Sequence, residues 1–165
     1  MNRHDPVMPP DGRHCYTIRV YYEDTDAGGV VYHANYLRFA ERARTEALRA
    51  LGIPHAELVE RFSLMFMVRH AEVDYLRPAR PDDSLVVETE VLAVGGATVT
   101  LRQAVRNATG VCARLTLRLA CIKAGAGGNK PGRLPPRWRT VLQAMRDARP
   151  VGETSQEHAT SCDAE

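Results

Sequence analysis

A chain of 165 residues is long enough to bury a core of its own and short enough for a single domain. Its net charge of +2, pI near 8.4 and charged fraction of 25% lack the basic excess of a nucleic-acid binder. The first fourteen residues, MNRHDPVMPPDGRH, have no apolar run suited to a signal peptide, and no later segment has the ~18 apolar residues of a membrane helix. The expected location is cytoplasmic.

Residues 1–14 are expected to be a flexible extension, rich in proline, histidine and charge. CYTIRVYY (15–22) follows and reads as a strand, because β-branched and aromatic residues dominate it. It ends where EDTDAGG supplies turn chemistry.

From Ala34 to Leu51 the spacing predicts a helix. Tyr36, Leu37, Ala40, Ala43, Ala47, Leu48 and Leu51 form the apolar stripe, and Arg38, Glu41, Arg42, Thr45, Glu46 and Arg49 the other face. Gly52 and Pro54 supply the stop. The helix is about 27 Å long, and the alanines thin it enough to lie close against a sheet. Arg44 falls inside the stripe. It is either an edge arginine with a snorkelling head or half of a buried ion pair with a sheet carboxylate such as Glu72 or Asp74.

A short helix around His55 to Arg61 precedes four β segments at 63–76, 84–94, 97–106 and 111–122. Val99, Leu101, Gln103 and Val105 alternate with polar residues, as do Val111, Ala113, Leu115, Leu117 and Leu119, so each strand has one core-facing side. The GG and NATG connections make hairpins. Met65, Phe66 and Met67 read as core or as tunnel lining. GAGGNK (125–130) reads as a linker. RLPPRWRTVLQAMRDAR reads as a C-terminal helix entered through Pro136, with Leu134, Trp138, Val141, Leu142 and Met145 as its apolar members. Its basic surface suits docking on the domain or a partner subunit, and also peripheral association with a membrane or an acidic carrier protein.

The expected class is therefore α+β, an antiparallel sheet curved around one long helix. Its parts are the sheet-and-helix domain proper at 15–123, the linker and basic amphipathic helix at 124–149, and a disordered tail at 150–165.

Four scattered cysteines, without CxxC pairs or a neighbouring ligand histidine, read as reduced thiols, and no metal is expected. DTDAGG opens like a calcium loop, but Gly28 and Asn35 stand where ligands are required. No P-loop, nucleophile elbow or HExxH is present, and no cofactor is called for. What remains is a set of carboxylates beside a helix start. The amides near His33 and Ala34 are a candidate oxyanion hole, because a first turn leaves N–H groups unpaired and its dipole favours negative charge. An adjacent carboxylate, ionised at neutral pH, serves as nucleophile or general base, which fits acyl transfer. By spacing alone, a solvated acidic turn is an equal reading.

The run RVYYEDTDAGGVVYHANYLRFAERARTEALRALG (19–52) closely resembles the hotdog-fold acyl-CoA thioesterases of the 4-hydroxybenzoyl-CoA thioesterase superfamily, in the Tol-Pal-associated YbgC-like branch. VDYLRPARPDDSLVVETEV is similar to that family's segment after the helix, and the likeness covers roughly 15–145. The resemblance implies a long helix wrapped by five antiparallel strands, and homodimers or homotetramers with active sites between subunits. It implies hydrolysis of acyl-CoA, or of acyl carrier protein thioesters, with Asp26 as the catalytic aspartate. His33 stands at the oxyanion position, and Tyr22 is a substrate-contacting motif tyrosine that also reads as strand core. Asp24 is then a turn former.

The 4-hydroxybenzoyl branch has a basic phosphate-binding cluster where this chain has AVGGATVT, so that contact is not implied here. Arg69, Arg77, Arg80 or the C-terminal helix are the substitutes. A hydratase of the same fold would need a glycine-Asp-Asn-Pro pattern, which is absent. A module that holds acyl groups or carrier proteins without hydrolysis is the alternative function.

Overall fold

The computed structural model describes residues 8–125 and 130–150. Half of the expected N-terminal extension falls within 1–7, and its last two residues, Arg13 and His14, open the first strand; most of the tail and of the GAGGNK linker falls within 151–165 and 126–129. Those segments lie outside the described residues. The elements are β1 (Arg13–Arg19), a 3-10 turn (Tyr22–Asp24), α1 (Asn35–Ala50), α2 (His55–Phe62), β2 (Leu64–Tyr75), β3 (Ser84–Val94), β4 (Thr98–Asn107), β5 (Gly110–Lys123) and α3 (Pro136–Asp147). All strands join one antiparallel sheet in the order β1-β3-β4-β5-β2. This is the α+β hotdog arrangement expected, a helix embraced by five strands.

The two hairpins form at the expected turns. Gly95 donates its N–H to the Thr98 carbonyl, and the Asn107 side chain accepts from the backbone and hydroxyl of Thr109 in the other. The register slips between Val68 and His70, between Val91 and Ala93, and between Val105 and Arg106. Such bulges bend and twist a sheet, which lets it curve around α1.

α1 ends as the sequence predicts. Gly52 has φ 70°, its N–H reaches the Arg49 carbonyl, and Ile53 N–H reaches Leu48, a Schellman cap. The buried stripe is wider at the start than expected. Tyr36, Phe39, Ala40 and Ala43 are buried, whereas Leu37 is exposed. Phe39 goes inward, into the half of the core that holds Leu85, Val87, Val105 and Leu115.

The core has two apolar halves. In one, Phe39, Ala40 and Ala43 meet Leu85, Val87, Val105 and Leu115. In the other, Leu48 and Leu51 meet Val91, Val99, Leu101 and Leu119 under Trp138, Leu142 and Met145 of α3. Thus α3 docks on its own domain, one of the arrangements its pattern suited. Between the halves lies a polar layer. The Gln103 side chain donates to the Ala40 carbonyl and to the Thr89 hydroxyl, each at 2.9 Å, and accepts from Arg44 at 2.9 Å.

That layer corrects the reading of Arg44. Its partner is the neutral Gln103 of the central strand β4, and Glu72 and Asp74 are exposed on β2. Strand order is the reason: β2 pairs only with β5, at the sheet's edge, while β4 lies at its centre.

The thiol reading is corrected at one position. Cys112 and Cys121 are free and buried, but Cys15 is disulfide-bonded. Pairing depends on which side chains the fold brings together, and spacing along the chain does not encode that.

Candidate active site

The junction between β1 and α1 is a small hairpin followed directly by the helix. Thr25 bridges Val31, Asp26 N–H donates to the Val30 carbonyl, and Gly29 N–H donates back to the Asp26 carbonyl. Gly29 has φ 71°, the left-handed conformation that closes a three-residue hairpin loop. The Asp26 carboxylate accepts from Gly28 N–H at 2.8 Å and faces solvent. A Cβ at Gly28 would stand 3.1 Å from that carboxylate oxygen, so glycine there leaves open the space beside it.

The expected turn-forming role of Asp24 matches its geometry. Its carboxylate accepts from Tyr21 N–H at 2.9 Å. Its carbonyl accepts from Tyr32 N–H at 2.9 Å and from the buried Asn35 side chain at 2.8 Å. These bonds tie the acidic turn to the helix start.

At that start Asn35 N–H reaches the Tyr32 carbonyl and Leu37 N–H reaches Ala34. Among the described residues, the N–H groups of His33 and Ala34 have no acceptor. These are the two amides the sequence singles out, and they lie where the helix dipole favours an anion. The Tyr75 hydroxyl donates to the His33 carbonyl at 2.9 Å. In a planar peptide the carbonyl of His33 and the N–H of Ala34 point in opposite directions, so Tyr75 fixes the aim of the Ala34 amide.

The loop between β2 and β3 adds two more ties. Val31 N–H reaches the Ala79 carbonyl at 2.9 Å, and Ala79 N–H donates to the Tyr36 hydroxyl at 3.2 Å. Burial pushes the Tyr36 phenol up, so it stays protonated. The His33 imidazole is exposed, with the Tyr32 ring centroid at 4.4 Å and Tyr75 at 6.2 Å.

Tyr22 is 83% exposed in the 3-10 turn, which removes the strand-core reading. β1 ends at Arg19, Val20 turns fully inward, and the two tyrosines after it swing out. Tyr21, Tyr22, Tyr32, Tyr75 and Leu76 expose large apolar surface around the junction. Sequence reasoning did not single out Asn35, Tyr75 or Ala79. Their roles come from contacts between segments far apart in the chain. Tyr75 and Ala79 do fall within VDYLRPARPDD, the segment whose likeness to the family was noticed.

No metal-holding group of three or more His, Cys, Asp or Glu occurs among the described residues. No described helix is long and apolar enough to cross a membrane. Of the proposed phosphate contacts, Arg69, Arg77 and Arg80 are all exposed; Arg77 is tied to the Thr109 carbonyl at 2.9 Å. Part of the basic surface of α3 and the residues after it is used internally, since Arg137 of α3 pairs with Glu57 and Arg149, just beyond it, with Glu90.

Residues 28–113 match the thioesterase superfamily. The chain is 48% identical over 136 residues to the acyl-CoA thioesterase YbgC of Haemophilus influenzae, covering 82% of this chain and 98% of that one. It is 34% identical over 111 residues to the 1,4-dihydroxy-2-naphthoyl-CoA hydrolase of Nostoc punctiforme, covering 67% and 75%. Among solved structures, a probable thioesterase from Bartonella henselae superposes with TM-score 0.70 at 36% identity, over 74% of this chain and 99% of that one. With the fold, the helix-start amides and these likenesses together, the chain belongs to the thioesterase superfamily, whose chemistry is thioester hydrolysis.

Proposed function

We propose that the chain hydrolyses acyl-CoA thioesters at the β1–α1 junction, with Asp26 as nucleophile or general base. The observation that carries the reading is the pair of unaccepted amides at His33 and Ala34, on the helix that follows the Asp26 hairpin. The thioester carbonyl oxygen would lie against these amides, which stabilise the negative charge that develops as the carbon turns tetrahedral.

In the general-base route the Asp26 carboxylate takes a proton from water, whose oxygen adds to the carbonyl carbon. The intermediate collapses by breaking the C–S bond, and the departing thiolate recovers the proton. In the nucleophilic route a carboxylate oxygen adds to the carbon and the thiolate leaves. Water then cleaves the mixed anhydride to the acid and restores Asp26. The same two amides serve both routes. Acyl carrier protein is a further thiol carrier, and non-hydrolytic acyl binding on the same fold is the competing function.

Asp26, His33 and Tyr22 all face solvent, ringed by the exposed apolar surface of Tyr21, Tyr32, Tyr75 and Leu76. A rim of that kind is the usual mark of a covered surface. We therefore place the complete site between two copies of the chain. Tyr22 and Tyr32 would then contact substrate.

The test is thiol release from a series of acyl-CoA and acyl-carrier-protein substrates by the wild type and by Asp26→Asn, with circular dichroism as the folding control. The expected result is turnover that falls at least ~10²-fold in the folded variant, a loss of about 2.7 kcal/mol in transition-state stabilisation. A wild type that binds these substrates and releases no thiol would favour the binding module.

A further inference from the structure

A cavity of about 160 Å³ lies beneath the C-terminal half of α1, away from the junction just described. Arg44 in its wall stands eleven positions beyond His33, about 16 Å along the helix. Most of the wall is apolar, drawn from Leu48 and Leu51 of α1, Phe66 of β2, and Leu142 and Met145 of α3. The polar members are Arg44, Glu41, His55 and Thr89.

Arg44 is the unusual one. Its guanidinium is largely withdrawn from water, and its one hydrogen-bond acceptor among the described residues is the neutral Gln103. No carboxylate lies within ion-pair distance of it among the described residues. Glu41, one turn earlier, lines the same cavity from an exposed position. Arg44 is half-buried, Glu41 acts on it only beyond ion-pair distance, and Gln103 answers only one of its five N–H donors. The geometry thus leaves guanidinium donors beside an apolar space of roughly the size that admits a benzene ring.

We infer that this cavity is a binding site for a small apolar monocarboxylate, of benzoate or hexanoate size, whose carboxylate pairs with Arg44 and whose hydrocarbon body lies against Phe66, Leu142 and Met145. The body fills apolar surface, and the head accepts charge-assisted hydrogen bonds from the Arg44 donors that Gln103 leaves unanswered. His55, beside the same space, is pushed down by burial and by Arg44, so a bound carboxylate would draw a proton onto it and gain a second partner. Within one protomer the cavity is separate from the β1–α1 junction, although Val68 of the exposed edge strand also lines it, and binding in it does not depend on hydrolysis at the junction.

The chain carries a built-in reporter. Trp138 is its single tryptophan, fully buried, with its ring centroid 6.0 Å from that of Phe66 in the cavity wall. Benzoate and its neutral near-isostere benzamide would be titrated into the full-length protein by calorimetry and by Trp138 fluorescence.

The expected result is one benzoate per chain, a change in Trp138 emission, and benzamide weaker by at least about tenfold, the loss of one charge-assisted hydrogen bond. Arg44→Met should remove the preference for benzoate, and Arg44→Lys should keep part of it. Equal affinity for the two ligands, binding without any change at Trp138, or a folded Arg44→Met that still prefers benzoate would each overturn the proposal, as would no binding at millimolar ligand. The wild-type comparison of the two ligands together with the tryptophan readout needs no variant to fold.

Discussion

At the scale of single residues, the junction is built from bonds that aim backbone groups. Tyr75 carries the sharpest consequence, because it touches the His33 carbonyl and would act through the Ala34 amide behind it. We expect Tyr75→Phe to lower kcat about tenfold with little change in KM, since an aimed oxyanion donor acts mainly in the transition state. A variant in which KM rises instead would place Tyr75 in substrate binding. The hairpin at Asp26 and the helix start near His33 were legible because turn residues and helix-end signals are local features of the sequence. Tyr75 was not, since its partner lies forty-two residues away. Arg44 was half legible: its misfit on the apolar stripe showed in the heptad-scale pattern, while Gln103 as its partner did not.

At the scale of elements, caps and stripes account for the helices. The Gly52 cap of α1 depends on a φ of 70°, so Gly52→Ala should cost about 1 kcal/mol in urea unfolding, the strain of a β-carbon in the left-handed region. No change would mean that the cap relaxes without cost. α3 follows its pattern closely: Trp138, Leu142 and Met145 recur on one face, and all three are buried. The width of α1's buried face was less legible. Leu37, expected on the apolar stripe, is exposed, and Phe39, which the stripe left out, is buried, because what a helix packs against, rather than its periodicity alone, decides how far around it burial reaches.

At the scale of the whole molecule, two half-buried histidines link stability to pH. Burial is the leading cause that lowers the pKa of both His14 and His55 from the ordinary 6.5, against a raising influence from Glu46 on His14 and from Glu41 on His55. Below that value the unfolded chain binds protons that the folded chain resists. Their stabilising contribution is complete above about pH 6.5 and is lost as pH falls from there through the lowered folded values. Each adds at most about 1.4 kcal/mol per pH unit to the slope, reduced by solvent screening because both are partly exposed. Urea midpoints measured from pH 8 to pH 5 should fall below pH 6.5, and replacing both histidines by glutamine should flatten the fall. An unchanged slope would assign it to carboxylates instead.

The edge strand β2 belongs to the same scale. Met65, Met67 and Val68 stand exposed on it, next to an unpaired backbone edge. We expect sedimentation to give at least twice the 18.3 kDa chain mass, and Val68→Lys to shift the protein toward monomer and reduce turnover together. A monomeric wild type with full activity would remove the shared-site proposal.

The sequence by itself determined the elements, their order and the two hairpins. Each follows from periodicity, turn residues or helix-end physics within a few residues of chain. Only the tertiary structure decided that β2 leaves β3 and lies beyond β5, that Gln103 answers Arg44, that Cys15 is bonded, and that Tyr75 reaches the helix start. Those outcomes depend on which distant segments share space, and that follows from closing one curved sheet around one helix.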